Sequence, residues 1–207
     1  MTREGSATTA HAVMEYGLER NIKSKYILVQ LPEIIDDKAE AYRMGYRNIC
    51  DIGEDRIRRA AAKLKEDNNK DFDFGFRVLR LDDSNMNDVY YSPDDYSQGM
   101  LSMLESNVKS DRTDLDLLFG CLLEWGLPLS LPYSSETIDG CTVHNYNDGD
   151  LIACFDENIP DEVIKMIAKK QPLRAVFRDS SFASSPSKIN IAEIFKLIAP
   201  DTRVKVI

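Results

Sequence analysis

Hydrophobic positions along the chain follow two rhythms. Ile49, Ile52, Ile57, Ala60, Ala61 and Leu64 recur at helical spacing while Arg56, Arg58, Arg59, Lys63 and Lys65 fill the other faces, which predicts an amphipathic helix over about 48–65. The run Lys25-Tyr26-Ile27-Leu28-Val29-Gln30-Leu31 is instead short, apolar and ended by Pro32. Its length and β-branched content predict a buried parallel strand over 26–31. Ahead of it the small-residue turn Gly5-Ser6-Ala7-Thr8-Thr9 feeds a helix over 10–19, and 38–44 predicts another. Loop, helix, strand, helix is the beginning of a βαβ-type unit without its first strand.

A polar stretch, Asp67-Asn68-Asn69-Lys70-Asp71, marks the expected boundary between a first portion, 1–70, and a second, 71–207. Alternation predicts a strand over 75–81, and the polar residues 82–96, with Tyr90-Tyr91, read as irregular. Thr113 can cap a helix whose first turn carries Asp114 and Asp116. Leu115, Leu117, Leu118, Phe119, Leu122, Leu123 and Trp125 make that helix apolar on most sides until Gly126 and Pro128 stop it, so it should be the core helix of the second portion. Strands are expected over 129–134, 141–146 and 151–155, with turns at Asp139-Gly140 and Asp148-Gly149. A helix from Pro160 to about Lys169, a strand over 173–177, a helix opened by Ser187 and ending before Pro200, and a strand over 203–207 complete an α/β pattern.

Composition changes this picture little. With 43 % hydrophobic and 29 % charged residues in 207, the chain has the profile of a soluble globular protein. No apolar run approaches the roughly 18 residues needed to cross a bilayer, and Met1 to Ser6 lack the apolar core of a signal peptide. Cys50, Cys121, Cys141 and Cys154 are too few and too widely spaced for a disulfide scaffold or a zinc site, so no metal is expected and a reduced, cytoplasmic location follows. Charge says more. Residues 1–70 carry 13 Lys and Arg against 12 Asp and Glu, whereas 71–207 carry 13 against 23. The acidic second part is a poor candidate for holding a phosphate backbone.

Among candidate groups, Gly5-Ser6-Ala7-Thr8-Thr9 at a helix entrance can present N–H groups and hydroxyls to a polar ligand, or can be an ordinary N-cap through Ser6, Thr8 or Thr9. Gln30 and Glu33 stand at the end of the predicted strand, where doubly wound sheets bind ribose hydroxyls, or are simple strand-end polar groups. His11 and His144 lack any spacing that marks a catalytic pair or a metal site, and read as a helix-surface and a strand residue. Asp82-Asp83 and Asp94-Asp95 read as solvated charge. The Arg56 to Lys65 stripe could meet phosphate, yet Glu54, Asp55, Glu66 and Asp67 flank it and favour a solvated face.

Three consecutive segments together resemble one family: Gly5-Ser6-Ala7-Thr8-Thr9-Ala10-His11-Ala12-Val13, Tyr26-Ile27-Leu28-Val29-Gln30-Leu31-Pro32-Glu33 and Asp51-Ile52-Gly53-Glu54-Asp55-Arg56-Ile57-Arg58-Arg59-Ala60. The chain resembles the C-terminal part of the modification (Mod) subunit of type III restriction-modification systems, a site-specific DNA adenine methyltransferase. The likeness continues through Asp111-Arg112-Thr113, Leu151-Ile152-Ala153-Cys154-Phe155-Asp156, Val176-Phe177-Arg178-Asp179-Ser180-Ser181-Phe182 and Ile194-Phe195-Lys196. It implies the fold class: α/β, an incomplete Rossmann-like methyltransferase portion over 1–70 followed by a small acidic α/β domain over 71–207. It also implies S-adenosylmethionine as cofactor, with Gly5, Ser6, Thr8 and Thr9 matching the cofactor loop and Gln30 the strand-end ribose position.

Departures from the family carry consequences. Its Asp-Pro-Pro-Tyr motif, which grips the target amino group and stacks on the flipped base, is absent; the nearest strings are Ser92-Pro93-Asp94 and Leu131-Pro132-Tyr133-Ser134. No catalytic residue is therefore assigned. The cofactor loop has Met1-Thr2-Arg3-Glu4 where a strand and an aromatic residue are expected, and Ala7 in place of a second glycine, so cofactor binding is expected to be weakened or lost. The resemblance implies contact with DNA only through the missing N-terminal part, a possible Mod homodimer, a restriction subunit, and no membrane. Two alternatives are an assembly module that contacts another Mod chain or the restriction subunit, and the remnant of a broken gene.

Removing the first strand leaves residues 26–31 with an unpaired apolar edge, which makes 1–70 loosely held or aggregation-prone. Amide exchange should therefore be fast over 26–31. Strong, cooperative protection of that segment in a monomer would contradict this expectation.

Overall fold

Two capping boxes decide where the long polar-flanked helices begin. At the first, the Asn48 side chain accepts from the Asp51 N–H at 3.1 Å while the Asp51 carboxylate accepts from the Asn48 N–H at 3.1 Å, starting α3 (Ile49–Asp67). At the second, Thr113 Oγ1 accepts from the Asp116 N–H and Asp116 Oδ2 accepts from the Thr113 N–H at 2.7 Å, starting α4 (Asp114–Glu124). Earlier in the chain lie α1 (Thr8–Arg20) and the short α2 (Glu40–Arg43). The computed structural model describes residues 7–68, 70–87, 107–182 and 185–207, with no side chains described for 185–189. Tyr90-Tyr91 and the acids at 94 and 95 lie outside the described residues.

The chain divides into two compact units, Met1–Arg80 and Leu81–Ile207. The division falls later than the polar stretch at 67–71, because Phe74 and Phe76 pack against the core of the first unit.

The second unit is an α/β layer structure. Its sheet has five strands in sequence order, β1 (Tyr133–Ile138), β2 (Cys141–Tyr146), β3 (Leu151–Cys154), β4 (Arg174–Phe177) and β5 (Arg203–Val206). Hairpins make β1, β2 and β3 antiparallel; α5 (Asp161–Lys169) and α6 (Ser185–Ile198) are the crossovers that make β3, β4 and β5 parallel. Alternation sends Val143, Ile152, Cys154, Ala175 and Phe177 to one face, under Val163, Ile164 and Ile167 of α5 and Ile191, Ile194 and Phe195 of α6. Tyr146, Leu151, Ala153, Phe155 and Val176 face the other way, under Leu117, Leu118, Cys121 and Leu122 of α4. Central β3 is buried throughout, as its unbroken apolar run requires. β1 begins later than the apolar run at 129–134 suggests, since Leu129 and Leu131 turn into the α4 side of the core before the strand starts. Asn85 Nδ2 donates to the Asp116 carbonyl at 2.8 Å, and Gly120 makes room for it: a Cβ there would lie 2.8 Å from that nitrogen.

The first unit is built differently. Ala7, Ala10 and Met14 of the α1 region meet Ile57 and Ala60 of α3, with Tyr26, Leu28, Leu64, Phe74 and Phe76 partly buried around them. Gly17 is required at the far end of α1, where a Cβ would sit 2.8 Å from the Ile22 carbonyl oxygen. Residues 26–31 and 75–81 form no strand, contrary to the pattern prediction for both. Burial nevertheless alternates: Tyr26, Leu28 and Gln30 turn inward while Ile27, Val29 and Leu31 are exposed, Ile27 at 90 %. The apolar pattern is that of a strand, but no neighbouring strand is present among the described residues of this unit to form a ladder. No described helix is long and apolar enough to cross a membrane.

The Thr113 N–H and hydroxyl hold the Asp116 carboxyl below its ordinary value of 3.8. A carboxyl depressed in the folded state contributes stability above its unfolded value and loses that contribution as pH falls through the folded one. Asp116→Asn should therefore lower the stability of the second unit at neutral pH and flatten the acid limb of its unfolding profile below about pH 4. An unchanged acid limb in denaturant titrations would remove the box from the account.

Candidate functional site

α1 starts without a side-chain cap. Its N-cap residue is Ala7, in the left-handed region at φ 51°, ψ 32°, rather than Ser6, Thr8 or Thr9. A left-handed alanine costs about 1–2 kcal/mol. Burial of its methyl holds it there: Ala7 is 5 % exposed, and a Cβ built on Gly53 would touch the Ala7 Cβ at 3.5 Å. The consequence is a helix start without a side-chain cap. Thr8 and Thr9 stand exposed in that first turn, whereas Gly5 and Ser6 lie outside the described residues.

Gln30 is part-buried. Its Nε2 donates to the Leu31 carbonyl at 3.0 Å, its own carbonyl accepts from Cys50 Sγ at 3.7 Å, and its Oε1 is buried without a protein partner. A buried acceptor left unsatisfied costs about 1–3 kcal/mol. A ligand hydroxyl donating to Oε1 would remove that cost. Gln30 and Ala7 thus converge on the same N-terminal part of α3, one through Cys50 and the other through Gly53. Glu33 contributes differently, its carbonyl accepting from the Ile49 N–H at 3.0 Å while its side chain stays exposed.

Beside this start, α1 and α3 enclose a groove of about 380 Å³ lined by His11, Tyr46, Asp55, Arg56, Arg59 and Lys63, with Ile52 and Ala60 between them. Tyr46 donates its hydroxyl proton to Asp55 Oδ2, and Arg59 pairs with the same oxygen at 2.7 Å. That hydroxyl, ahead of Arg59 and Arg58, holds the Asp55 carboxyl below its usual range. Sequence patterning contained this cluster, since 56, 59 and 63 share one helical face, but the facing His11 and Tyr46 required the tertiary packing.

Two further groupings were invisible to spacing. Ser135 and His144 are direct partners across β1 and β2, with Ser135 Oγ 2.8 Å from His144 Nδ1 and His144 Nε2 3.3 Å from Asp114 Oδ2. This chain of bonds ties the start of α4 to the sheet, where His144 is buried against Phe155. The hairpin also brings Cys141, Cys154 and Asp156 together, one ligand atom from each lying within 4.8 Å of the others, a set with the right atoms for a soft metal. Burial pushes the Cys154 thiol up to about 12 and raises Cys141 as well, so both thiols behave as protonated core groups. Asp156 is occupied with the Thr142 N–H at 2.5 Å and the Cys154 thiol at 3.8 Å.

No family profile matches the chain. Curated relatives do. The Mod subunit of the Escherichia coli type III restriction-modification enzyme EcoP15I is 28 % identical over 196 residues, which is 87 % of this chain and 27 % of that protein. The EcoPI Mod subunit of Escherichia phage P1 is 24 % identical over 200 residues, 89 % of this chain and 29 % of the relative. The StyLTI Mod subunit of Salmonella typhimurium is 36 % identical over 78 residues, 37 % of this chain. The chain spans less than a third of the length of these relatives. Over most of its own length, then, this α/β chain is similar to part of the Mod subunits of type III restriction-modification enzymes.

Proposed function

We propose that the chain is the C-terminal portion of a site-specific DNA adenine-N6 methyltransferase of a type III restriction-modification system, and that it does not methylate DNA alone. Similarity to the Mod subunits supports the family. The half-formed first unit carries the fragment reading. Residues 26–31 half-bury Tyr26, Leu28 and Gln30 and expose Ile27, Val29 and Leu31. Such a segment is stable as a strand only when neighbours take up its backbone N–H and C=O groups and cover its second face. The remainder of a Mod chain would supply those neighbours together with the Asp-Pro-Pro-Tyr motif.

In this reading S-adenosylmethionine is the methyl donor. Gly5, Ser6, Thr8 and Thr9, the residues that match the family's cofactor loop, contact its polar groups, and Gln30 Oε1 accepts from a ribose hydroxyl. Ala7, standing where the family's loop carries a second glycine, weakens that grip. DNA, a second Mod chain and the restriction subunit are the partners of the completed protein, in the cytoplasm.

Calorimetry with S-adenosylmethionine and a methyl-transfer assay on duplex DNA test this. The chain alone should transfer no methyl group and should bind the cofactor with a dissociation constant above ~100 µM. Gln30→Ala should abolish the residual binding and Ala7→Gly should tighten it. Methyl transfer by the purified chain would overturn the fragment reading, and cofactor binding indifferent to both substitutions would overturn the assigned site.

A further inference from the structure

We propose that Cys141, Cys154 and Asp156 form a binding site for one thiophilic divalent cation, zinc being the type. The site lies wholly in the second unit and does not depend on the methyltransferase reading.

Strand register builds it. Val143 is paired directly with Cys154 across β2 and β3, so Cys141, two residues before Val143, shares the face of Cys154 and lies diagonal to it. Continuing that register places Asp156 opposite Cys141, and there the Thr142 N–H donates to Asp156 Oδ2 at 2.5 Å. One ligand atom from each of the three residues lies within 4.8 Å of the others. The Thr142 N–H has a positioning role, since a ligating carboxylate held by a second hydrogen bond keeps its orientation.

This arrangement suits a metal better than a disulfide. Diagonal positions on neighbouring strands lie about 7–8 Å apart, at or beyond the Cα separation of about 7 Å that a disulfide spans without backbone movement. A tetrahedral zinc ion, with Zn–S near ~2.3 Å and Zn–O near ~2.1 Å, holds two sulfurs about 3.8 Å apart and a sulfur and an oxygen about 3.6 Å apart. Cys154 Sγ is already 3.8 Å from Asp156 Oδ2.

Charge and burial agree with that choice. The charged groups that act on the two thiols are carboxylates, Asp156 on both and Asp139 on Cys141, so the local field favours a cation. Both cysteines are buried in the apolar cluster that contains Ile138, Ile159 and Phe182, where electrostatic attraction is screened less than in water. Asp156 is half-buried, which gives an ion its route from solvent and leaves a fourth position for water. Without an ion both thiols keep their protons. Coordination breaks two S–H bonds, forms two metal–sulfur bonds and one metal–oxygen bond, and releases two protons to solvent with no change in the oxidation state of sulfur. The ion then fastens the start of β2 to the end of β3, and the stability of the second unit follows the supply of metal.

The test is a cobalt(II) titration of the full 207-residue chain, reduced and freed of metal by a chelator. Thiolate ligation gives a sulfur-to-cobalt charge-transfer band. One cobalt ion should bind per chain with a dissociation constant below ~10 µM and should be displaced by zinc, which should also raise the midpoint of thermal unfolding. Cys141→Ala and Cys154→Ala should each weaken binding at least ~10-fold, and Asp156→Asn, which keeps an acceptor for the Thr142 N–H, should weaken it about 10-fold while the charge-transfer band persists. Cys121→Ala, on the opposite face of the same sheet, and Cys50→Ala should each change affinity less than ~3-fold. Where a cysteine variant loses its folded circular dichroism, X-ray absorption at the zinc edge of the unaltered chain decides, two sulfur and two lighter ligands being expected. Absence of the charge-transfer band, zinc surrounded by oxygen and nitrogen alone, or equal weakening by Cys121→Ala would overturn the proposal.

Discussion

A buried backbone must have its hydrogen bonds taken up, and this constraint separates the two units. In the second, every strand from β1 to β5 has a register partner, and helices cover both faces of the sheet. In the first, residues 26–31 have the side-chain alternation of a strand and no ladder. α1 and α3 are left to pack on each other across a small core of Ala7, Ala10, Met14, Ile57 and Ala60. Small side chains allow close helix approach, but they bury little apolar surface, and burial is the main favourable term in folding.

That same economy shapes the candidate site. Close approach of the α1 entrance to Gly53 puts Ala7 in a left-handed conformation and leaves the helix start without a side-chain cap. Gln30, drawn inward beside Cys50, keeps a buried acceptor that the protein does not satisfy. Both features are costly to the folded chain by itself, and a hydroxyl donating to Gln30 Oε1 would relieve the second. The basic groove arises from the same helix pair, its cations lying on the flank of α3 that the small core leaves uncovered.

Hydrogen-bond economy in the second unit is tighter and reads as structural. Tyr146 is fully buried with its hydroxyl donating to the Pro128 carbonyl and accepting from the Leu131 N–H at 3.0 Å. The Ser135, His144 and Asp114 chain and the Thr113 and Asp116 box both fasten the start of α4. Cys141 and Cys154 add buried volume on the opposite face. Tyr146 and His144 satisfy buried polar groups with partners distant in sequence, which is how a sheet with helices on both faces acquires a single register.

Much of this was legible in the residues. Local chemistry decides helix starts, turns and strand alternation, so α3, α4, the Asp139-Gly140 turn and the bounds of β2 follow from spacing alone. The resemblance to Mod subunits was carried by short motifs and agrees with the relatives found over most of the chain. Tertiary structure decided what depends on neighbours. Residues 26–31 and 75–81 have strand patterns without becoming strands, because a ladder needs a partner that no local pattern can supply. Ala7 became the cap in place of the hydroxyl residues beside it, because its methyl packs near Gly53. Cys141 with Cys154 and Asp156, Ser135 with His144, and His11 with Arg56 and Lys63 were brought together by register and helix packing, across separations that spacing rules do not reach.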